Sequence, residues 1–150
     1  MTKLSLNLKT VLFQFDGIKL NLLRVANPDE LVEQLSDEEF NKDERLPYWA
    51  ELWPSAIGLS RFLINNPDLI QGKKILELGC GLGLTSMILI RNEPLEFVCT
   101  DYDNNALQIT RKNFLKNKLK LPDLRYLDWR NPDLDKCFDC IVASDILYEK

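Results

Sequence analysis

The stretch Ile75-Leu76-Glu77-Leu78-Gly79-Cys80-Gly81-Leu82-Gly83-Leu84 restricts this chain more than any other. An apolar run of strand character enters a turn with three alternate glycines and leaves as a helical pattern. Glycine suits so sharp a turn because positive φ costs it little and a ligand can lie directly on its backbone. Strand, glycine turn and helix in that order open a doubly wound α/β sheet, which binds ligands at the carboxyl ends of its strands.

Three ligand classes use such a turn. A P-loop needs Gly-Lys-Ser/Thr, which is absent. A dinucleotide site needs G-x-G-x-x-G/A, but the frame from Gly79 ends on Leu84 and the frame from Gly81 ends on Ser86. Glu77, just before the turn, would repel a pyrophosphate. It suits a ligand with an ammonium and a sulfonium, as in S-adenosylmethionine (SAM). Asp101 ends the next strand, roughly 20 residues past the glycines, the spacing at which an acid reaches ribose hydroxyls.

The remaining pattern agrees with a parallel sheet. Lys73–Leu78, Leu95–Thr100, Leu124–Trp129 and Phe138–Ser144 read as strands, and Leu84–Arg91 and Asn104–Asn117 as helices. The unbroken apolar centre Cys140-Ile141-Val142-Ala143 predicts a strand covered on both faces. Ala106, Thr110 and Phe114 share one face of the second helix. Upstream, Leu4, Leu6, Leu8, Val11, Phe13 and Phe15 alternate with polar residues, and so do Ile18, Leu20 and Leu22 beyond Asp16-Gly17. That is a hairpin with a type I′ turn. Pro28-Asp29-Glu30 opens a short helix to about Leu35, and residues 36–47 read as a charged linker. Ser55 is a candidate cap for a helix running to about Asn65, with Ile57, Leu59, Phe62 and Leu63 toward the core.

Composition excludes several classes. The net charge is −4, which argues against a nucleic-acid coat. The basic run Arg111, Lys112, Lys116, Lys118, Lys120 complements a helix dipole at its carboxyl end. The first ten residues carry no apolar block and no run reaches membrane-span length, so the expectation is a soluble, cytoplasmic chain with no membrane and no nucleic-acid partner. There are four cysteines and no histidine. A zinc site needs about four ligands, so no metal is expected, and Cys99 and Cys140 read as small core residues on strands.

Glu77-Leu78-Gly79-Cys80-Gly81-Leu82-Gly83, the strand-end Asp101, Leu127-Asp128-Trp129 and Ala143-Ser144-Asp145-Ile146-Leu147-Tyr148 together resemble the class I, seven-strand SAM-dependent methyltransferases. Pro47-Tyr48-Trp49-Ala50, Trp53-Pro54 and Leu59-Ser60-Arg61 narrow the resemblance to the protein lysine methyltransferases, the family that includes the electron-transfer flavoprotein β-subunit lysine methyltransferase. The likeness runs from about Leu46 to Tyr148. It implies a Rossmann-like α/β fold with an N-terminal β-hairpin extension: residues 1–45 as extension and residues 46–150 as the SAM-binding domain. It also implies roles. Glu77, Gly79, Gly81 and Gly83 line the methionine end of SAM. Asp101 holds the ribose, with Tyr102 beside the adenine. Asp128 and Trp129 contact the adenine, Trp53 flanks the cofactor, and Ser144 joins the cofactor contacts. Asp145 and Tyr148 stand beside the methyl group and its acceptor.

Methyl transfer from a sulfonium is an in-line displacement that needs orientation more than a nucleophilic side chain, so the lack of histidine is tolerable. The expected reaction is transfer to a protein lysine, with Asp145 orienting the amine and Tyr148 shaping the pocket. Two alternatives stand beside it: a small amine or pyridine as acceptor, and a non-catalytic SAM-fold binding module. The family's strand order is 3-2-1-4-5-7-6, and this chain supplies 3-2-1-4 with 5-7-6 missing. Unpaired backbone on one edge of strand 138–144 would cost on the order of 1–3 kcal/mol per buried group. The chain is therefore expected to be a C-terminally incomplete piece of a longer protein, or to have that edge covered by a partner chain.

Overall fold

A computed structural model describes residues 6–15, 17–33 and 46–146. The alternating N-terminal segment forms an antiparallel hairpin of β1 (Leu8–Phe15) and β2 (Ile18–Val25), with Phe15 opposite Ile18. Gly17 has φ of 79°, the left-handed backbone a two-residue turn requires. Asp16, the other half of that turn, lies outside the described residues. The strands are unequal. β2 buries Leu20, Leu22 and Val25, whereas β1 buries Phe15 and leaves Val11 and Leu12 exposed. A short helix α1 (Asp29–Glu33) follows. Most of the expected charged linker lies outside the described residues.

A single 3-10 turn at Tyr48–Ala50 leads to α2 (Pro54–Asn65). Proline suits the first helical position, where its missing N–H has no intrahelical partner to lose. It also keeps the preceding residue extended, and Trp53 has φ −72° and ψ 140°. The cap position therefore falls to Trp53, and Ser55, the expected cap, sits inside the first turn. The buried side of α2 carries Ser60 and Leu63. Phe62, expected in the core, is 53% exposed. It is one residue from Leu63 and so about 100° around the helix.

The main sheet is built from β3 (Lys74–Leu78), α3 (Leu84–Arg91), β4 (Glu96–Asp101), α4 (Asn104–Lys116), β5 (Asp123–Tyr126) and β6 (Cys140–Ala143). Its order is β5-β4-β3-β6, parallel throughout. Counted within this sheet, that is 3-2-1-4. Parallel neighbours require crossovers, and α3 and α4 supply two of them. β3 buries Ile75, Leu76 and Glu77, and β4 is buried from Phe97 to Asp101, the mark of strands covered on both faces. α3 is buried from Leu84 to Leu89, and α2 packs against it. α4 is amphipathic. It buries Ala106, Ile109, Thr110, Asn113 and Phe114 and packs on β2, β4 and β5. No helix among the described residues is long and apolar enough to cross a membrane.

Two strands are shorter than their apolar patterns. β5 ends at Tyr126. Beyond it the Asp128 carboxylate accepts the Arg130 N–H at 3.1 Å, and this local bond turns the chain out of the sheet. β6 starts at Cys140, after the Asp139 carboxylate has accepted the Lys74 N–H at 2.8 Å. β6 is an edge strand among the described residues, paired with β3 alone. Its apolar run predicts cover on both faces, yet only Val142 is buried and Ile141 is 62% exposed. No described element lies over the Ile141 side.

Phe114 is fully buried on α4 and its neighbour Leu115 is 60% exposed. Phe114→Ala is expected to lower unfolding free energy by about 3–5 kcal/mol through cavity formation. Leu115→Ala should stay within about 0.5 kcal/mol of the parent. Urea unfolding of the two variants checks this. Equal losses would contradict the orientation of α4.

Candidate functional site

The carboxyl ends of β3, β4 and β6 open into one cleft, walled on its far side by the 46–56 segment. β3 runs directly into the glycine loop. Gly79, Gly81 and Gly83 have φ of 67°, 53° and 77°, so each occupies backbone that other residues adopt only under strain. Their surroundings differ. A Cβ on Gly79 would meet Ile146 Cγ2 at 3.0 Å, and one on Gly81 would meet the Trp49 carbonyl oxygen at 3.3 Å. Both residues line the cleft. A Cβ on Gly83 would stand 2.7 Å from Thr110 Oγ1. Gly83 does not line the cleft, and its lack of a side chain serves the packing of the loop on α4.

Two carboxylates are buried against this loop. Asp101, the last residue of β4, accepts the Gly81 N–H at 2.9 Å through one oxygen and the Asp103 N–H at 2.9 Å through the other. Glu77, inside β3, accepts the Ser86 hydroxyl at 2.5 Å. Burial pushes the Glu77 carboxyl up to about 7 and the Asp101 carboxyl up to about 6, against usual values of 4.5 and 3.8. The hydrogen bonds they accept oppose the rise without cancelling it. Neither is paired with a basic side chain among the described residues. The described lining of the cleft holds four carboxylates, Glu51, Glu77, Asp101 and Asp145, and no lysine or arginine.

The aromatic segment forms the opposite wall. The extended backbone before Pro54 lets the Trp53 indole N–H donate back to the Tyr48 carbonyl at 2.9 Å, with the two rings edge to face at 6.0 Å. Trp49 is buried and its carbonyl closes over Gly81, while Trp53 is 37% exposed at the mouth. Tyr102 and Trp129 line the cleft beyond Asp101, and Ser144 and Asp145 line it at the end of β6. Asp145 has φ of 51° and accepts a hydrogen bond from the Ser55 hydroxyl.

Of the residues expected at the site, the structure brings together Trp53, Glu77, Gly79, Gly81, Asp101, Tyr102, Trp129, Ser144 and Asp145. Gly83 stands behind the loop. Asp128 stands beside the cleft with its carboxylate paired to Arg130 at 2.5 Å. Tyr148 lies outside the described residues. Sequence reasoning missed Tyr48, Ser55 and Ser86. Tyr48 belongs to the aromatic cluster already singled out. Ser86 is nine residues from Glu77 on the next element, and Ser55 is 90 residues from Asp145, so neither left a local signal.

Residues 37–150 match the family described as lysine methyltransferase. Over 104 residues, 69% of this chain, the sequence is 33% identical to the human electron transfer flavoprotein beta subunit lysine methyltransferase. Over 106 residues it is 29% identical to the Arabidopsis thaliana calmodulin-lysine N-methyltransferase. The chain spans 39% and 35% of the lengths of these relatives. Among solved structures, the Pyrococcus abyssi tRNA (uracil-54, C5)-methyltransferase, in complex with S-adenosyl-L-homocysteine, superposes with a TM-score of 0.56 at 17% identity. That alignment covers 88% of this chain and 27% of that one, a likeness of fold.

The buried acids make stability depend on pH in a definite direction. Between about pH 4 and 7 the folded chain keeps protons on Glu77 and Asp101 that the unfolded chain has released. Stability from this source is complete below about pH 4 and is lost as pH rises through about 7. The loss should be on the order of 3 kcal/mol for Glu77. Urea unfolding from pH 4 to 8 should show the decline, and Glu77→Gln should remove about half of it, Asp101 carrying the rest; an unchanged slope would contradict the assignment. Gly83→Ala should cost about 1–3 kcal/mol from backbone strain, measured by the same unfolding. A neutral result would mean that the loop relaxes away from Thr110.

Proposed function

Because this chain belongs to the lysine methyltransferase family, we propose that it binds SAM in the cleft above β3 and β4 and methylates a lysine side chain of a protein. The observation that carries this reading is a described lining of four carboxylates and no lysine or arginine around the half-buried Gly79 and Gly81. Among the described residues only Glu51 of the four is near a cation, Arg24 at 3.9 Å. Such a lining repels a pyrophosphate and attracts a ligand whose methionine end bears a sulfonium and an ammonium. The burial of Glu77 and Asp101 without a basic partner supports the same fit, since a bound cation would lower both carboxyls toward their charged form.

Within this reading Glu77, Gly79 and Gly81 hold the methionine end, with Trp53 at its flank. Asp101 takes the ribose hydroxyls. Tyr102 and Trp129 enclose the adenine, with Ser144 in the same wall. Gly83 acts through the shape of the loop and Asp128 through its pairing with Arg130. When bound, SAM supplies a methyl group already activated by positive sulfur, so no side chain needs to become a nucleophile. The chain's own residues bind, orient and desolvate.

The acceptor must arrive uncharged. A lysine with a reference pKa near 10.4 is neutral in only about 1 molecule in 2,500 at pH 7. The apolar face of Trp53 favours the neutral amine. Asp145, held by Ser55, accepts a hydrogen bond from that amine and aims its lone pair into the cleft. Tyr148 is assigned to the acceptor wall by the Asp-x-x-Tyr pattern. A protein acceptor is favoured over a small amine because Trp53, Trp129 and Asp145 are all exposed at the mouth, which leaves room for a side chain presented from a surface. The two relatives are named for different protein substrates and share the lysine.

Calorimetric titration of SAM into the full chain should show one site per chain, tighter at pH 7.5 than at pH 5.5. A folded chain without binding overturns the cofactor reading. Methyl transfer to protein lysine, followed by mass spectrometry, should fall at least about a hundredfold in Asp145→Asn, with SAM affinity held within about twofold. Asparagine tolerates the left-handed backbone at this position, so the substitution isolates the charge. Transfer to a free small amine and never to protein would replace the protein substrate with a small one.

A further inference from the structure

α4 and its carboxyl-terminal cap residue present three polar side chains along one side: the buried Thr110 and Asn113, and the half-buried cap Asn117. Asn113 is completely buried. Its side-chain carbonyl accepts the Leu23 N–H at 2.6 Å, and its amide nitrogen donates to the Leu23 carbonyl at 2.9 Å. One turn later, Asn117 makes the same pair of bonds with Asn21, at 2.8 and 2.9 Å. Leu23 and Asn21 are alternate residues of β2, so two side-chain amides spaced i, i+4 stand in for a neighbouring strand along its outer edge. A strand edge left bare is a site of unwanted pairing, and these amides cover it.

The two amides differ in their further bonds. The Asn117 amide nitrogen donates to the Asn113 backbone carbonyl at 2.8 Å and to Met87 Sδ in α3 at 3.4 Å, whereas the Asn113 amide nitrogen donates to the Leu82 carbonyl at 2.8 Å, inside the glycine loop. Thr110 donates to the preceding carbonyl, that of Gly81, at 3.0 Å. Two successive loop carbonyls are thus drawn toward α4. In a trans peptide the N–H points opposite to the C=O, so the Leu82 and Gly83 N–H groups are turned away from α4.

We propose that Asn113 is a positioning residue for the cofactor loop, and that through it the hairpin β1–β2 becomes part of the cofactor site. The inference rests on the SAM reading above only for the ligand's identity. The hairpin lies outside the family match at residues 37–150. The coupling has a simple cause. Asn113 and the Leu82 carbonyl are buried together and the Leu23 N–H and carbonyl are half-buried, so loss of the β2 edge leaves an amide that rotates and releases Leu82. Arg24 on the same strand reaches Glu51 of the cleft wall at 3.9 Å, a second and longer link between hairpin and site.

The test compares Asn113→Ala with Asn117→Ala in the full chain. Both remove a clip on β2, and only the first removes a loop contact. Amide hydrogen exchange over residues 79–86, which needs no ligand, should quicken about tenfold in Asn113→Ala, the equivalent of one hydrogen bond. It should stay unchanged in Asn117→Ala, although exchange in β2 rises in both. SAM affinity should fall about tenfold in the first variant and stay within about twofold in the second. If Asn113→Ala does not fold, Asn113→Ser serves, since its hydroxyl can keep at most one donor bond. Equal loop exchange in the two variants, or an unchanged loop in Asn113→Ala, overturns the proposal. A parent chain that does not bind SAM overturns the cofactor reading alone, because loop exchange still decides the role of Asn113.

Discussion

The Asp101 carboxylate accepts the N–H of Gly81, and this bond joins the end of β4 to the loop that leaves β3. The adjacent backbone bond from the Cys80 N–H to the Thr100 carbonyl, at 2.9 Å, runs parallel to it. Together they decide where the glycine loop sits relative to the sheet. The remaining site follows from that position. Gly81 must lie close enough to Asp101 to donate, which brings its Cα under the Trp49 carbonyl and excludes a side chain. Gly83 then falls against Thr110, and the first residues of α3, Leu84 and Thr85, line the cleft.

Holding an acid in this place is costly. Asp101 and Glu77 are buried, and both have carboxyls raised by desolvation. A core of the same volume made from apolar residues would be more stable. Stability given up at one place for a ligand's benefit is a common mark of a binding site. The cleft shows the same logic in its wider lining, where four acids gather, Glu51 alone of them beside a basic partner among the described residues, Arg24, and aromatic rings supply the apolar surface. A ligand that is cationic at one end and aromatic at the other satisfies both halves.

Much of the fold was legible because parallel α/β sheets write their elements locally. The alternation of strands and helices from Lys74 to Ala143 follows from apolar runs and glycine punctuation, whereas the order of the four strands was implied only by the family resemblance. The cleft-lining residues nearest those signals, Glu77, Gly79, Gly81 and Asp101, were legible for the same reason, and Trp129 through the family resemblance. Other features were not. Ser55 reads as a cap because a serine after a proline offers an oxygen to nearby N–H groups, yet its hydroxyl is turned to Asp145, which arrives from the other end of the chain. Phe62 reads as core because it is large and apolar, but the contact of α2 with α3 chooses Ser60 and Leu63. The cover expected over both faces of β6 depends on elements that no local pattern reveals.

What the sequence by itself determined is backbone chemistry: where the chain must turn through positive φ, where an acid follows a strand, and where apolar runs demand burial. These depend on residues a few positions apart. What only the tertiary structure decided is partnership. Three glycines look alike in sequence, but two face the cleft and one faces a helix. Asn113 and Asn117 read as ordinary polar positions on α4, yet they hold a strand 90 and 96 residues away. Short-range sterics act before the fold exists, whereas a buried hydrogen bond between distant residues acquires its strength only once packing has removed the water that would compete for it.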